Sequence, residues 1–236
     1  MSLLELKGLV KQYGGKPVVN GLSLSVSPGE VIGLLGPNGA GKTTAFYMAV
    51  GLIRPDEGEV FFQHQNVTHM PVHKRALMGL GYLAQEPSIF RSLTVEENIR
   101  CILEMRSNPA QTLDELLEEL HLTRLRHKKA STLSGGERRR LEITRALVTQ
   151  PSLLLLDEPF ANIDPLAVAD VKHLIRILKH KQISVLITDH NAREIFSIVD
   201  RSYLVQQGKV LLSGTVDELT SHPEARRNYF GEDFKL

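Results

Sequence analysis

The sequence VIGLLGPNGAGKTT, residues 31–44, combines a short apolar run with a glycine-rich segment, a lysine and two threonines. Its pattern, G-x-x-x-x-G-K-[ST], is typical of a turn that joins a strand to a helix and holds phosphate groups with its backbone N–H groups and the helix N-terminus. The alternative is a glycine-rich turn that merely connects the two elements. We predict a nucleotide site formed by Gly36, Pro37, Asn38, Gly39, Ala40, Gly41, Lys42, Thr43 and Thr44.

A second motif, LLLLDEP at residues 153–159, supplies two carboxylates after four leucines. The leucine run is typical of a strand buried on both faces of a parallel sheet. An acid at the carboxyl end of such a strand can steady a Mg²⁺ ion together with the Thr43 hydroxyl, so we assign Asp157 and Thr43 to the metal. The next acid, Glu158, can polarise an attacking water. Alone the motif also fits a strand that ends in a polar turn, but beside the Lys42 loop it indicates nucleotide hydrolysis.

The segment LSGGERRRLEITRAL, residues 133–147, places a serine and two glycines before a charged helical pattern. Ser134 and Glu137 have the spacing of a capping box, which satisfies backbone N–H groups at a helix start. The box does not explain Gly135 and Gly136, which cost backbone entropy and are useful where a group must approach the backbone closely. A helix N-terminus with such glycines also binds anions. We therefore predict a second half-site for the same nucleotide, formed by Ser134, Gly135, Gly136 and Glu137.

The composition argues against a nucleic-acid-binding protein, a disulfide-stabilised protein and a membrane-spanning protein. The 236 residues are 42% hydrophobic and 23% charged, with a formal net charge of +1. So small a charge gives no general attraction to nucleic acid, and we interpret the charged run 137–140 as a solvated helix face. The single cysteine, Cys101, excludes an intrachain disulfide. No apolar run approaches the ~18 residues of a membrane span and the first residues lack a signal-peptide pattern, so we expect membrane contact only through other chains.

The front of the chain has the alternation of antiparallel strands. Apolar residues alternate at 3–10 and 22–26 around a turn at Gly14 and Gly15, and a further strand is predicted at 59–62. These segments predict a small β lobe.

The rest of the chain indicates a parallel sheet with helices. Uninterrupted apolar runs at 31–35, 153–156 and 185–187 predict central strands covered on both faces. Between the first two runs, apolar residues recur with helical spacing. We predict one α/β domain over residues 1–236, with a helical subdomain inserted at about 89–150.

The three motifs, in this order, resemble those of the ATP-binding cassette (ABC) ATPases: GPNGAGKT resembles the phosphate loop, LSGGE the signature motif and LLLLDEP the acidic strand. The resemblance covers essentially the whole chain. It implies a P-loop NTPase (RecA-like) α/β fold with a parallel-sheet core, an N-terminal antiparallel β subdomain and an inserted α-helical subdomain. It also implies ATP and Mg²⁺ as ligands and a head-to-tail homodimer, in which Ser134 and Gly136 of one copy close over the ATP held by Lys42 of the other.

Four further positions match residues of known role in that family, and their roles here are implied by the resemblance. Tyr13 matches the aromatic residue that stacks on adenine, and His190, in ITDH, matches the histidine that contacts the γ-phosphate. Gln85, in YLAQE, matches the glutamine that contacts Mg²⁺ and assists catalysis, although Ala84 stands where a proline is common. Asp164 matches an acid of the dimer interface. As isolated residues, Tyr13 fits an ordinary strand tyrosine and His190 a loop histidine.

The segments SIFRSLTV, LITDHNARE and YFGEDFKL resemble one branch of the family, the ATPases of lipopolysaccharide export in Gram-negative bacteria. That branch implies two integral membrane subunits as partners and a cytoplasmic location, peripheral on the inner membrane. Phe90 and Arg91 lie where family members receive a short helix of a membrane subunit; the alternative for Phe90 is packing against its own helical subdomain. ATPases of branched-chain amino-acid import share most motifs and form the first alternative, ahead of cytosolic ABC ATPases without a transport role.

Overall fold

The computed structural model describes residues 2–86, 88–106, 110–161 and 163–231. Asn162, next to the loop residues that precede Asp164, lies outside the described residues, as do residues 232–236 of the YFGEDFKL segment. None of the helices in the described part of the chain combines the length and the apolar character that a bilayer crossing needs.

Strands and helices alternate along most of the chain. The strands are β1 (Leu4–Tyr13), β2 (Lys16–Val26), β3 (Val31–Leu35), β4 (Glu57–Phe62), β5 (Gln65–Asn66), β6 (Leu80–Leu83), β7 (Leu153–Asp157), β8 (Ser184–Asp189), β9 (Arg201–Gln206) and β10 (Lys209–Gly214). The helices are α1 (Lys42–Val50), α2 (Val72–Leu77), α3 (Val95–Leu103), α4 (Leu113–Glu119), α5 (Gly135–Leu147), α6 (Pro165–His180), α7 (Ala192–Phe196), α8 (Val216–Ser221) and α9 (Pro223–Ala225).

The smaller sheet is antiparallel, with strand order β2-β1-β4-β5. Gly14 and Gly15 have φ of +56° and +76° and form the predicted turn between β1 and β2. Three boundaries predicted for this sheet were wrong by two residues or more: β1 ends at Tyr13 rather than at 10, β2 begins at Lys16 rather than at 22, and β4 begins at Glu57 rather than at 59. The added residues of β2 and β4 join the sheet by pairing with β1 along its exposed end, where no alternation of apolar side chains is needed.

The larger sheet has strand order β10-β9-β3-β8-β7-β6, and its neighbouring strands are parallel except for β10 and β9. The predicted central strands are β3, β7 and β8, and every residue in them is buried. Their register sets Leu35 beside Asp189 and Asp157 beside Thr188, so the carboxyl ends of all three strands meet at one edge. In open parallel sheets this edge is where ligands bind.

Two hydrophobic cores lie on opposite faces of the larger sheet. Because side chains alternate along a strand, Leu154 and Leu156 of β7 pack in the core shared with α5 and α6, while Leu153 and Leu155 pack in the core shared with α1 and the antiparallel sheet. The predicted α/β class, with an N-terminal antiparallel sheet and a mostly parallel second sheet, is confirmed. The helices α3, α4 and α5 fall within residues 89–150, and their behaviour as a separate subdomain stays a prediction.

Candidate functional site

The phosphate loop, defined as residues 36–41, connects β3 to α1. Gly41, which directly precedes α1, has φ of +97°. A Cβ at Gly41 would lie 2.5 Å from the carbonyl oxygen of Val18, and one at Gly36 would lie 2.5 Å from the carbonyl oxygen of Val205. Both ends of the loop therefore require glycine, because neighbouring backbone fills the space of a side chain.

Lys42 places its ammonium group inside the phosphate loop. Its Nζ donates to the carbonyl oxygens of Gly36 at 2.7 Å and Pro37 at 3.2 Å, and the residue is 5% exposed. Burial lowers the pKa of Lys42, while the nearby carboxylates of Glu158 and Asp189 act in the opposite direction. The loop thus holds a buried cation where the outer phosphates of a nucleotide would lie.

A cavity of about 330 Å³ opens at this loop. Its lining consists of Val18, Asn38, Gly39, Ala40, Gly41, Lys42, Thr43, Thr44, Gln85 and Glu158. The fold thereby gathers most of the predicted phosphate-binding residues and two of the predicted catalytic ones. Tyr13 is not among the lining residues; its ring, at the end of β1, is 52% exposed, with the Lys11 ammonium 5.8 Å from the ring centre.

Asp157 is 2% exposed and accepts hydrogen bonds from three hydroxyl groups. Thr43 Oγ1 donates to Oδ1 at 3.3 Å, Thr188 Oγ1 donates to the same oxygen, and Tyr82 Oη donates to Oδ2 at 3.4 Å. Burial raises the pKa of Tyr82, so its hydroxyl keeps the proton that it donates. A hydroxyl beside a carboxylate offers the hard oxygen ligands that Mg²⁺ prefers, so Thr43 and Asp157 fit the predicted metal.

Glu158 brings the three predicted catalytic side chains together. Its Oε2 accepts a hydrogen bond from Gln85 Nε2 at 3.1 Å and lies 3.9 Å from His190 Nδ1. The Glu158 side chain is 17% exposed and that of His190 is 55% exposed, so the acid is sheltered while the imidazole faces solvent. Gln85, also predicted to contact Mg²⁺, directs its amide nitrogen to the carboxylate of Glu158. The arrangement suits a carboxylate base held by two neighbours.

Ser134 and Glu137 form the predicted capping box at the start of α5. The Ser134 Oγ accepts from the Glu137 N–H at 3.2 Å, and Glu137 Oε2 accepts from the Ser134 N–H at 2.7 Å. Gly135 lines a cavity of about 200 Å³ with Gln85 and Glu158, and no residue of the phosphate loop is among the lining residues of that cavity. Within one chain, the signature segment and the phosphate loop therefore belong to different cavities.

The two signature glycines have different surroundings. A Cβ at Gly136 would lie 3.1 Å from the Ala167 Cβ on α6, whereas one at Gly135 would meet only Ile163 at 3.4 Å. Gly136 thus allows α5 to pack closely on α6. The sequence interpretation, which attributed both glycines to an approaching ligand, missed this internal role because it depends on a contact between two helices.

Asp164 caps α6, since its Oδ1 accepts a hydrogen bond from the Ala167 N–H at 3.0 Å. The adjacent Leu166 is 82% exposed, so this helix start presents an apolar side chain to the outside. The role of Asp164 in a dimer interface stays a prediction.

The charged run 137–140 is not a uniformly solvated helix face, and that interpretation was wrong for Arg139. Arg139 is 7% exposed and donates to Glu142 Oε2 at 2.8 Å and to the Ala84 carbonyl at 3.3 Å. Glu142 Oε1 in turn accepts from the Ser88 N–H at 2.8 Å. The segment that follows β6 folds over this part of α5 and buries it, a contact that helical periodicity does not reveal.

The Phe90 ring is partly exposed and partly packed against its own chain. The ring is 47% exposed, yet the Arg145 guanidinium lies 4.7 Å from the ring centre. The buried side chain of Asn98 fixes the backbone by accepting from the Phe90 N–H at 2.9 Å and donating to its carbonyl at 3.0 Å. Arg91 is exposed beside it. The role of Phe90 and Arg91 in a partner groove stays a prediction.

Two residues of the site were missed from the sequence, Thr188 and Asp189 at the end of β8. Thr188 is fully buried against Asp157, and Asp189 is 1% exposed. Asp189 Oδ1 accepts from the N–H groups of His190 and Asn191, each at 2.8 Å, and burial raises the pKa of Asp189. The signal was present in LITDH, where two polar residues end an apolar strand as Asp157 and Glu158 do.

The chain is similar in sequence to several known proteins. The family described as ABC transporter matches residues 19–161. The lipopolysaccharide export system ATP-binding protein LptB of Acidithiobacillus ferridurans is 50% identical over 99% of this chain and 99% of its own length, and the protein of that name in Escherichia coli K12 is 46% identical over 100% of both chains. A probable ABC transporter ATP-binding protein of Azorhizobium caulinodans is 52% identical over 97% of this chain and 83% of its own length.

Solved structures show the same fold. The crystal structure of the ADP conformation of an ATP-binding cassette of an ABC transporter has a TM-score of 0.88 and 30% sequence identity, and it covers 98% of this chain and 100% of its own. A nucleotide-free ATP-binding cassette from an ABC transporter has a TM-score of 0.86 and 29% identity over the same shares.

Proposed function

Since this chain belongs to the ABC transporter family and is an ATP-hydrolysing subunit, we propose that it powers lipopolysaccharide export. The observation that carries the proposal is its 50% and 46% identity, over 99% and 100% of both chains, to proteins named for that system. The relative that is 52% identical has no substrate in its name, so another ABC transporter, such as a branched-chain amino-acid importer, is the competing function.

Glu158 is the proposed base for attack of water on the γ-phosphate. Its carboxylate is sheltered, and Gln85 at 3.1 Å and His190 at 3.9 Å restrict its orientation. A carboxylate held in this way can accept a proton from a water aligned with the phosphorus. We assign to His190 a contact with the γ-phosphate, because its imidazole lies beside Glu158 and lines a cavity together with Gly36 and Pro37 of the phosphate loop.

The phosphate loop and Lys42 supply the positive field for the phosphates. Backbone N–H groups at the start of α1 and the buried ammonium favour the charge that develops during transfer. Thr43 and Asp157 would hold Mg²⁺, with Gln85 nearby, and the metal would neutralise charge on the outer phosphates. Tyr13 is proposed to stack on adenine, since its ring is exposed at the rim of the antiparallel sheet.

We propose a head-to-tail homodimer as the active form. In one chain Gly135 lines a cavity that includes no residue of the phosphate loop, so we assign the signature segment near the nucleotide of Lys42 to a second copy. The start of α5 would then present N–H groups to the phosphates. Asp164 and the exposed Leu166 lie at the start of α6, which packs on α5, and we place them in the same interface.

Two integral membrane subunits are the proposed partners, and the chain would work on the cytoplasmic face of the inner membrane. Residues 89–150 would form the helical subdomain of the single domain 1–236 and receive a short helix of one membrane subunit at Phe90 and Arg91. The half-exposed ring of Phe90 is an apolar anchor on a backbone fixed by Asn98.

Co-purification tests the transport assignment. A tagged chain is purified from native membranes in mild detergent, the bound proteins are identified by mass spectrometry, and the complex is reconstituted in vesicles containing lipopolysaccharide. We expect two different integral membrane subunits and ATP-dependent extraction of lipopolysaccharide. Recovery of amino-acid permeases with a periplasmic amino-acid-binding protein would mean that the transported substrate is an amino acid rather than lipopolysaccharide. The assignment as an ATPase would not change.

A further inference from the structure

The hydroxyl group of Thr188 lies between the two acids of the site. Thr188 is fully buried at the end of β8, and the parallel register pairs it with Asp157. Its Oγ1 donates to Asp157 Oδ1 and accepts from the Glu158 N–H at 3.1 Å. We propose that Thr188 is a positioning residue that sets both the carboxylate of Asp157 and the backbone of Glu158. The inference rests on the proposed roles of these two acids in ATP hydrolysis.

The direction of these hydrogen bonds follows from their donors. A hydroxyl carries one hydrogen, and the Glu158 N–H can only donate, so the Thr188 oxygen accepts from it and gives its own hydrogen to Asp157. The hydroxyl therefore has a single arrangement that satisfies both neighbours. A side chain without it would leave the buried Asp157 oxygen with only the Thr43 hydroxyl as partner, at 3.3 Å.

The backbone of Glu158 needs this support. Glu158 has φ of +43°, a conformation that residues other than glycine rarely adopt and that persists only when the surroundings hold it. The Glu158 N–H bonds both the carbonyl oxygen of Thr188, at 3.0 Å, and its hydroxyl. This turn takes the Glu158 side chain out of the strand direction and toward Gln85 and His190.

Thr188 differs from the other hydroxyl partners of Asp157. Thr43 is a proposed metal ligand, so its hydroxyl would exchange Asp157 for Mg²⁺ during turnover. Tyr82 reaches the second carboxylate oxygen at a longer distance of 3.4 Å. Thr188 lies on β8, and its bonds to Asp157 and to the Glu158 N–H need not break when Thr43 binds Mg²⁺, so they can persist throughout the cycle. Thr188 would thus hold the carboxylate of Asp157 in place throughout the ATPase cycle.

The test uses Thr188→Val, which removes the hydroxyl at nearly constant shape, and Thr188→Ser, which keeps it. Thr68→Val is the matched control: Thr68 is buried in the antiparallel region, and its hydroxyl also accepts from a backbone N–H, that of Val60 at 2.9 Å, and donates to a side chain, Asn66 Oδ1 at 2.7 Å. Each variant is measured for ATP affinity in EDTA and in excess Mg²⁺, for the Mg²⁺ dependence of hydrolysis, and for Tm without nucleotide.

We expect Thr188→Val to need about tenfold more Mg²⁺ for half-maximal hydrolysis and to lose about tenfold in kcat, because one hydrogen bond to a buried carboxylate is lost. Its ATP affinity in EDTA should match that of the wild type, and Thr188→Ser should restore the Mg²⁺ dependence. Thr68→Val should lower Tm without changing that dependence.

The proposal is overturned if Thr188→Val lowers Tm as Thr68→Val does and keeps the wild-type Mg²⁺ dependence and kcat. Thr188→Ala is the second hydroxyl-free variant in case valine prevents folding. Glu158→Gln distinguishes a failure of the role proposed for Thr188 from a failure of the proposed function. Loss of hydrolysis in Glu158→Gln with normal Thr188 variants refutes only the role of Thr188, whereas a wild type without Mg²⁺-dependent hydrolysis refutes the proposed function, and the ratio of ATP affinities still tests Thr188.

Discussion

The phosphate loop and the signature segment both precede a helix, yet the two regions differ in how far their own chain encloses them. The loop around Lys42 is enclosed by its own chain: Val18 and Val205 leave room only for glycine, and acids of β7 and β8 lie around the ammonium. The signature segment at Ser134 is exposed, and a local capping box satisfies the N–H groups of Ser134 and Glu137. One region is enclosed by its own chain, and the other is an exposed, capped helix start that we propose acts on a nucleotide held by a second copy.

The largest loss of ATP hydrolysis is expected when the proposed base, Glu158, is replaced. Glu158→Gln keeps the shape of the side chain and its contact with Gln85 but cannot accept a proton, so kcat should fall by about 10²–10⁴ with ATP affinity unchanged. Steady-state hydrolysis and ATP binding measure the two quantities, and gel filtration with ATP should show a closed dimer.

Glu57→Gln, on an exposed part of β4, is the control for this change and should hydrolyse ATP at the wild-type rate. Wild-type turnover in Glu158→Gln would mean that another group is the base.

Mixing two inactive variants should show whether the signature segment acts on the nucleotide of a second copy. Lys42→Ala removes the cation of the loop, and Ser134→Arg blocks the signature surface, so each homodimer should lack turnover. Their heterodimer keeps one intact composite site, and an equal mixture should recover about a quarter of wild-type hydrolysis.

Activity of each purified variant and of the mixture, at concentrations above and below dimer formation, measures this effect. ATP hydrolysis by monomers, at concentrations too low for dimers to form, would contradict a role of the signature segment at the partner's nucleotide.

A smaller effect is expected at the proposed groove, outside both half-sites. Phe90→Ala removes an anchor that is 47% exposed and should weaken binding to the membrane subunits about tenfold while sparing ATP hydrolysis by the isolated chain. Met105→Ala is a matched control, because Met105 is 80% exposed between α3 and the undescribed residues 107–109. Binding to purified membrane subunits in detergent distinguishes the two, and equal losses for both variants would contradict the groove assignment.

The smallest expected effect concerns Asp189, a buried carboxylate near Lys42. Burial raises the pKa of Asp189 above its usual 3.8, so its ionised form is less favourable in the folded chain than in the unfolded one. The associated stability is complete below pH 3.8 and is lost as the pH rises through the folded pKa.

Asp189→Asn keeps an acceptor for the His190 and Asn191 N–H groups and should remove this loss. The variant should therefore melt at a higher temperature at neutral pH, by about 2–4 °C if it gains ~1 kcal/mol, and this gain should shrink as the pH falls from neutral toward 3.8. Melting curves without nucleotide measure it, and a gain that is constant over this pH range would contradict the electrostatic explanation.

The sequence by itself determined the local parts of this protein. The glycine pattern with Lys42, the leucine run before Asp157 and the spacing of Ser134 and Glu137 act within a few residues, so the phosphate loop, β7 and the capping box were predictable from neighbours along the chain. The order of motifs also determined the family. Strand ends were predicted less well, because Lys16 and Glu57 join their strands only through backbone pairing with β1.

Only the tertiary structure decided how distant residues meet at the sheet edge. Thr188 touches Asp157 because two parallel strands, some thirty residues apart, share a register. Gly136 lies in close contact with α6, and Arg139 is buried because the segment after β6 covers it. Such contacts depend on packing between elements, and the periodicity of one segment contains no information about what lies against it.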